Sequence, residues 1–291
     1  MKTYFIFGDS WTSTGFHEDD EQPSVSNPLG NPIFPGATGT NGANWVGYLT
    51  ATHNITFVKT VNLAYGGAVI NIELIHPEPA VSDLKHQLNA QYLPNYGLPL
   101  VKKLDWTPDS TLHIIFMGVN DLHNAVNETA HLFGRVQEEY AQDVELLYSS
   151  GARNFLLINA PPIERSPLAP RIYAVNEWKS WVAAWNRNLT SLASAFTQKH
   201  SDATAIVFDT FAVFNDMIDN PCTFEQSCGF KEVNRFCDYY AFGADEEHSN
   251  DPHCDFSINE YLWMNDIHPT TQVFSAMAQE IVRALQSAGS A

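Results

Sequence analysis

The chain alternates short, uninterrupted apolar runs with longer segments of helical spacing. Five runs read as strands: Thr3 to Phe7 (TYFIF), Phe57 to Ala64 (FVKTVNLA), Thr111 to Gly118 (TLHIIFMG), Asn154 to Asn159, and Ala205 to Phe208. Their apolar residues are consecutive rather than alternating, the pattern of strands covered on both faces. Val136 to Ser150, Val175 to Lys199 and Thr271 to Ser287 instead place apolar residues at the period of amphipathic helices. Within the second of these, the spacing of WKSWVAAW from Trp178 to Trp185 marks a core face. Strands that alternate with helices predict an α/β fold, a three-layer α/β/α sandwich around a mostly parallel, doubly wound sheet. Two stretches lack either period, Gly15 to Asn44 and Phe214 to Tyr261; they read as long Pro-, Gly- and Asn-rich loops that shape a binding site.

Four short motifs sit at the ends of predicted elements: FGDS ending at Ser10, NLAYGGA with Gly66 and Gly67, GVND from Gly118 to Asp121, and DIHPT with His268. Each alone reads as a turn or a cap. Together, in this order, they supply the parts of nucleophilic catalysis. The first motif reads as strand, tight turn, helix, with Gly8 free to take the turn and Ser10 at the carboxyl end of the first strand, where open α/β sheets bind ligands. A serine hydroxyl needs a base within hydrogen-bond reach. Of 11 histidines only His268 lies in such a context, on a loop that Pro269 and Thr270 close before the last helix. Attack on an ester leaves charge on the former carbonyl oxygen, and preorganised donors there are the largest catalytic contribution. The backbone N–H of Gly67, the side-chain amide of Asn120 and the backbone N–H of Ser10 are the candidate donors, each following a predicted strand.

The order Gly-Asp-Ser, Gly, Gly-x-Asn-Asp, His-Pro-Thr resembles the GDSL or SGNH hydrolase superfamily, and the motifs span nearly the whole chain. FGDSWTSTGF, the stretch ending in NGANWVGYL, the AYGGA run and the final IHPT look most like the fungal acetyl esterases of carbohydrate esterase family 16. That resemblance implies a flavodoxin-like SGNH fold, no cofactor or metal, and removal of acetyl groups from carbohydrate, chiefly hemicellulose-derived xylo-oligosaccharides. Two positions depart from the pattern. Ser13 stands where many relatives carry Asp three residues after the serine. The usual last block is Asp-x-x-His, whereas three residues before His268 stands Asn265, with Asp266 only two before it. Asn265 takes the triad position, with Asp266 as its rival and a main-chain carbonyl or a substituted Asn265 as further explanations.

With 291 residues, 44% hydrophobic, the chain can bury one large core, and it reads as a single SGNH-type esterase domain over residues 1–291. A formal net charge of -18 argues against nucleic acid and anionic membranes as partners, leaving acetylated oligosaccharides or other small acyl esters. No run approaches the roughly 20 apolar residues of a membrane span. A monomer is expected. Met1-Lys2 runs straight into the first strand without a signal peptide, as in a mature form with an added Met or a cytoplasmic protein.

The cysteines favour a secreted, extracellular enzyme. All 4 lie between Cys222 and Cys254 without zinc-site spacing, and local spacing favours Cys222 with Cys228 and Cys237 with Cys254 among three possible pairings. Asn54, Asn127 and Asn188 are possible N-glycosylation sites at about the frequency chance provides. Trp11 follows the nucleophile and Trp263 precedes the His268 loop; both are candidates for stacking on a sugar ring or walling off a small acyl pocket, weighed against core packing. The runner-up functions are a lipase or general short-chain carboxylesterase on the same scaffold and, because of Asn265, a carbohydrate-binding protein whose catalysis has decayed.

Overall fold

A computed structural model gives the fold over residues 2–77, 82–97, 103–125, 130–241 and 249–289. The five apolar runs become β1 (Lys2–Gly8), β2 (Val58–Asn62), β3 (Thr111–Phe116), β4 (Asn154–Ile158) and β5 (Thr204–Phe208), all parallel in the order β2-β1-β3-β4-β5. This is the flavodoxin-like order, whose crevice opens at the carboxyl ends of β1 and β3, where the chain direction reverses. Phe5 sits between Val61 of β2 and His113 of β3 in register. Several predicted runs overshoot their strands by one or two residues because apolar positions just past the last pair, such as Met117, remain buried in the turn.

The helices are α1 (Trp45–Ala51), α2 (Leu84–His86), α3 (Leu93–Tyr96), α4 (Val119–Asn124), α5 (Ala130–Ser149), α6 (Leu168–Arg171), α7 (Val175–Lys199), α8 (Thr210–Asp219) and α9 (Thr271–Ser287), with a π-helical turn, Gln87–Tyr92, joining α2 to α3. Ring contacts divide them between the two faces of the sheet. On one face Phe116 meets Trp11 and Trp45, and Trp11 meets Phe214 of α8 and Phe274 of α9. On the other, Phe5, His113 and Phe155 meet Tyr92, Tyr96 and Phe196. His113 is a core residue: burial pushes it down to about 3, and its Nε2 pairs with the Tyr92 hydroxyl at 2.8 Å. In α7, Trp178, Val182, Trp185, Leu189 and Phe196 form the buried stripe that the WKSWVAAW spacing predicts.

Three expectations need correction. No helix follows Ser10: residues 9–12 form a single turn, and the side-chain amides of Asn44 and Asn62 take the Thr12 and Ser13 carbonyls that a helix would have used. The expected loop from Phe214 begins inside α8, whose amphipathic run was hidden among Asn and Asp; Asp209 caps it and Phe214, Met217 and Ile218 bury one face. The helix expected from Val136 starts at Ala130, and its first turns bury Phe133, whose ring stacks on Trp181 at 4.0 Å. Disulfides join Cys222 to Cys228 and Cys237 to Cys254. The second braces a satellite core of Tyr240, Ile258, Tyr261 and Met264. No helix among the described residues is long and apolar enough to cross a membrane. Asn188 lies on the exposed face of α7, Asn54 donates its side-chain amide to the Thr50 carbonyl, and Asn127 lies outside the described residues.

Three buried carboxyls set a pH dependence of stability. Burial pushes Asp9 and Asp121 up to about 7 and Asp143 up to about 8, and neighbouring carboxylates push the same way. Such groups bind protons more tightly folded than unfolded, so the stability they confer is full below about 4 and is lost as pH rises through 7 to 8. His113 and His268, both pushed down, act oppositely between their folded values near 3 to 4 and the unfolded value near 6.5. Above pH 6.5 only the carboxyls remain. The melting temperature is therefore expected to fall most steeply between pH 6.5 and 8, and Asp143→Asn to flatten that fall. A thermal melt series in which stability rises over this interval would contradict the assignment.

Candidate active site

Ser10 is held by the turn that ends β1. The Asp9 carbonyl accepts Thr12 N–H at 3.0 Å and Ser13 N–H at 2.8 Å, and the Asp9 carboxylate accepts Trp11 N–H at 2.9 Å. Gly8 is forced: a Cβ there would meet Thr12 Oγ1 at 2.7 Å and the Phe116 carbonyl at 2.9 Å. Buried Gln87, from the π-helical turn, satisfies both polar groups of Gly8, donating to its carbonyl at 2.8 Å and accepting its N–H at 3.1 Å. The serine is thus aimed by a strand end whose backbone is fully bonded.

His268 reaches it from the other end of the chain. Its Nε2 lies 2.8 Å from Ser10 Oγ. Its Nδ1 lies 3.1 Å from Asn265 Oδ1, which also accepts the N–H of Ile267 at 3.1 Å and of His268 at 2.7 Å. An atom facing two backbone N–H groups has to be the oxygen, so the amide presents an acceptor to the ring and the proton sits on Nδ1, leaving Nε2 to accept from Ser10. Asp266 turns away: its carboxylate lies 3.5 Å from Arg171 Nη1 and its carbonyl accepts Leu168 N–H. Burial pushes the imidazole down to about 4, with the Asp266 charge acting in the opposite direction. The ring is neutral, and a weak base, at neutral pH.

What holds the His268 loop carries no mark in the sequence. Thr40 Oγ1 donates to the Pro269 carbonyl at 2.8 Å, Asn41 Oδ1 accepts Thr271 N–H at 2.9 Å, and Thr271 Oγ1 donates to the Ala43 carbonyl at 2.7 Å. Between these anchors Gly39 lies flat against the reacting pair; a Cβ there would stand 2.8 Å from the Ser10 carbonyl and 3.2 Å from His268 Cδ2. The Gly15 to Asn44 loop therefore forms a wall of the site. Only the lack of a side chain at Gly39 could have signalled this, and one glycine in a glycine-rich stretch carries no such information.

Gly67 and Asn120 meet at the same crevice. Gly67 has φ +79, which a glycine takes without strain, and among the described residues neither its N–H nor that of Ser10 donates to a protein acceptor. Asn120, in the first turn of α4, donates its amide to the Ala68 carbonyl at 3.0 Å and to Asp9 Oδ2 at 3.2 Å. Both amide protons are engaged, so an oxyanion competes with one of these acceptors. Gly118, the residue before α4, has φ +127, and a Cβ there would run into the Trp185 ring at 2.7 Å. Among the described residues the hydroxyl of Ser13, the other departure, only accepts the Gly15 N–H, at 3.4 Å.

The tryptophan expectations are overturned. Trp11 is 0% exposed and packs among Phe116, Phe214 and Phe274, while Trp263 is 1% exposed and donates Nε1 to the Val233 carbonyl at 2.9 Å. Both complete the core beneath the site and cannot touch a substrate. No cluster of metal-ligating side chains occurs among the described residues.

A sequence profile described as GDSL-like Lipase/Acylhydrolase matches residues 4–281. The chain belongs to that family. As a GDSL-like acylhydrolase it is 34% identical over 292 residues to an acetylesterase from Thermothelomyces thermophilus, covering 97% of this chain and 88% of the relative. A solved acetylxylan esterase from Geobacillus stearothermophilus shares the fold at a TM-score of 0.52 and 14% identity, covering 99% of this chain and 94% of its own. A lipolytic G-D-S-L family protein from Veillonella parvula does so at 0.51 and 13%, covering 98% and 99%. The GDSL-like chain is a carboxylic ester hydrolase.

Proposed function

We propose that this enzyme is a secreted serine esterase that removes acetyl groups from carbohydrate, with acetylated xylo-oligosaccharides as its substrate class. The observation that carries the mechanism is the 2.8 Å hydrogen bond from Ser10 to an imidazole whose second nitrogen is already held. Ser10 Oγ attacks the acetyl carbonyl carbon while its proton passes to His268 Nε2. The oxyanion that forms takes hydrogen bonds from the N–H groups of Ser10 and Gly67 and from the Asn120 amide. Collapse of this intermediate breaks the bond to the sugar oxygen, which takes the proton from His268. Water then attacks the acetyl-enzyme by the same route and releases acetate.

The acetyl preference is supported by the acetylesterase relative, which aligns along nearly the whole chain. Secretion is supported by the two disulfides. The reading treats the chain as one catalytic domain acting as a monomer. It is tested with p-nitrophenyl esters of increasing chain length, run beside acetylated xylo-oligosaccharides. Acetate is expected to be the best acyl group, by analogy with the acetylesterase relative; an apolar acyl groove would instead gain about 0.8 kcal/mol per buried methylene and favour longer chains. Octanoate turned over as fast as acetate would move the assignment to a lipase.

A further inference from the structure

With Trp11 and Trp263 buried, an exposed aromatic residue that adjoins the oxyanion turn is Tyr65, which is 52% exposed. Its place is set by its backbone alone: its N–H donates to the Gly8 carbonyl at 3.1 Å and its own carbonyl accepts Ala68 N–H at 3.1 Å. The next residue, Gly66, lies near the nucleophile: a Cβ on it would stand 4.0 Å from Ser10 Cβ, an ordinary van der Waals distance. Gly67, an oxyanion donor, comes next. Among the described residues the Tyr65 side chain makes no hydrogen bond and no ring contact. The turn that carries the oxyanion donor therefore does not need the ring, which is left open to solvent beside that turn.

An isolated exposed aromatic needs no explanation on most surfaces. This one lies one residue, about 3.8 Å along the chain, from a glycine whose empty side-chain position faces Ser10 Cβ at 4.0 Å. A phenol offers an apolar face to the C–H groups of a pyranose ring and a hydroxyl to its oxygens. We propose that Tyr65 is the stacking platform for the sugar that bears the acetyl group, and so the residue that distinguishes a sugar acetate from a simple alkyl acetate. The proposal rests on the sugar-acetate reading above.

The test is a specificity ratio, kcat/KM on acetylated xylo-oligosaccharides divided by kcat/KM on ethyl acetate. Ethyl acetate serves as reference because the ring of a p-nitrophenyl ester could itself stack on Tyr65. Tyr65→Ala is expected to lower this ratio about tenfold or more, and Tyr65→Phe and Tyr65→Trp to keep most of it. An unchanged ratio in Tyr65→Ala, whether both rates fall or neither does, overturns the proposal. A ratio lost equally in Tyr65→Trp also overturns it, since a larger ring retains the stacking face. Wild-type enzyme that hydrolyses ethyl acetate but no acetylated oligosaccharide would instead refute the sugar-acetate reading, and the proposal with it, before any variant is compared.

Discussion

Replacing Ser10 by alanine is expected to lower turnover of every ester by roughly 10⁴-fold or more, the scale seen when a serine hydrolase loses its attacking atom. The change removes one oxygen from a partly exposed residue whose side chain, among the described residues, makes a single hydrogen bond, to His268. The turn around it is built from the Asp9 carbonyl, the Asp9 carboxylate and the Gln87 amide, none of which involves the Ser10 hydroxyl. Stability should change by no more than about 1 kcal/mol. Steady-state rates, with a melting curve and a circular dichroism spectrum of the same preparation, check both halves. Mass spectrometry of wild-type enzyme quenched during turnover should show an acetyl adduct on the peptide carrying Ser10, absent from Ser10→Ala. A variant that retains full activity would end the serine mechanism.

Asn265→Asp is expected to make the enzyme faster. In the serine-protease template the reverse change costs about 10⁴ in turnover, partly because the amide favours the wrong tautomer. Here the amide oxygen is fixed toward His268 Nδ1 by the N–H groups of Ile267 and His268, so the tautomer is already correct and only the charge is missing. The gain should be correspondingly smaller, roughly 10- to 100-fold at neutral pH. A carboxylate there would also favour the imidazolium and raise the His268 pKa from its present value near 4. The working form of the base is neutral, so the acid limb of the pH profile of kcat/KM should move to higher pH in Asn265→Asp. Asp266→Ala should leave the rate at neutral pH within a few-fold, since its carboxylate faces Arg171. Loss of activity by orders of magnitude in a folded Asp266→Ala, with no gain in Asn265→Asp, would reverse the assignment.

Much of the scaffold was legible because a strand buried on both faces leaves a continuous apolar run that few other elements leave. Thr3 to Phe7 and Thr111 to Phe116 are such runs. The α8 helix was not, since its apolar residues are diluted by Asn215, Asp216 and Asp219 on the solvent side. The missing helix after Ser10 was illegible for a different reason: the competitors for its carbonyls, Asn44 and Asn62, lie tens of residues away. Ser10, Gly67, Asn120 and His268 were visible because each chemical role demands a particular residue at a strand end. Gly39 and Gln87 act by shape and by backbone bonding across 29 and 79 residues, and nothing near them in the chain marks that. Trp11 and Trp263 misled because both side chains turn into the core, Trp11 among Phe116, Phe214 and Phe274 and Trp263 toward the Val233 carbonyl, a direction set by tertiary packing.

The reacting pair is drawn from positions 258 residues apart, and the loops that clasp them, from Thr40 and from Pro269, are separated by 229. A chain emerging from the ribosome carries Ser10 as an inert alcohol until its base, 258 residues further on, has been made and folded against it. Catalysis begins only when the end of β1 and the loop before α9 have met. Ester turnover during refolding consequently counts finished molecules, and remains silent for any that have merely collapsed.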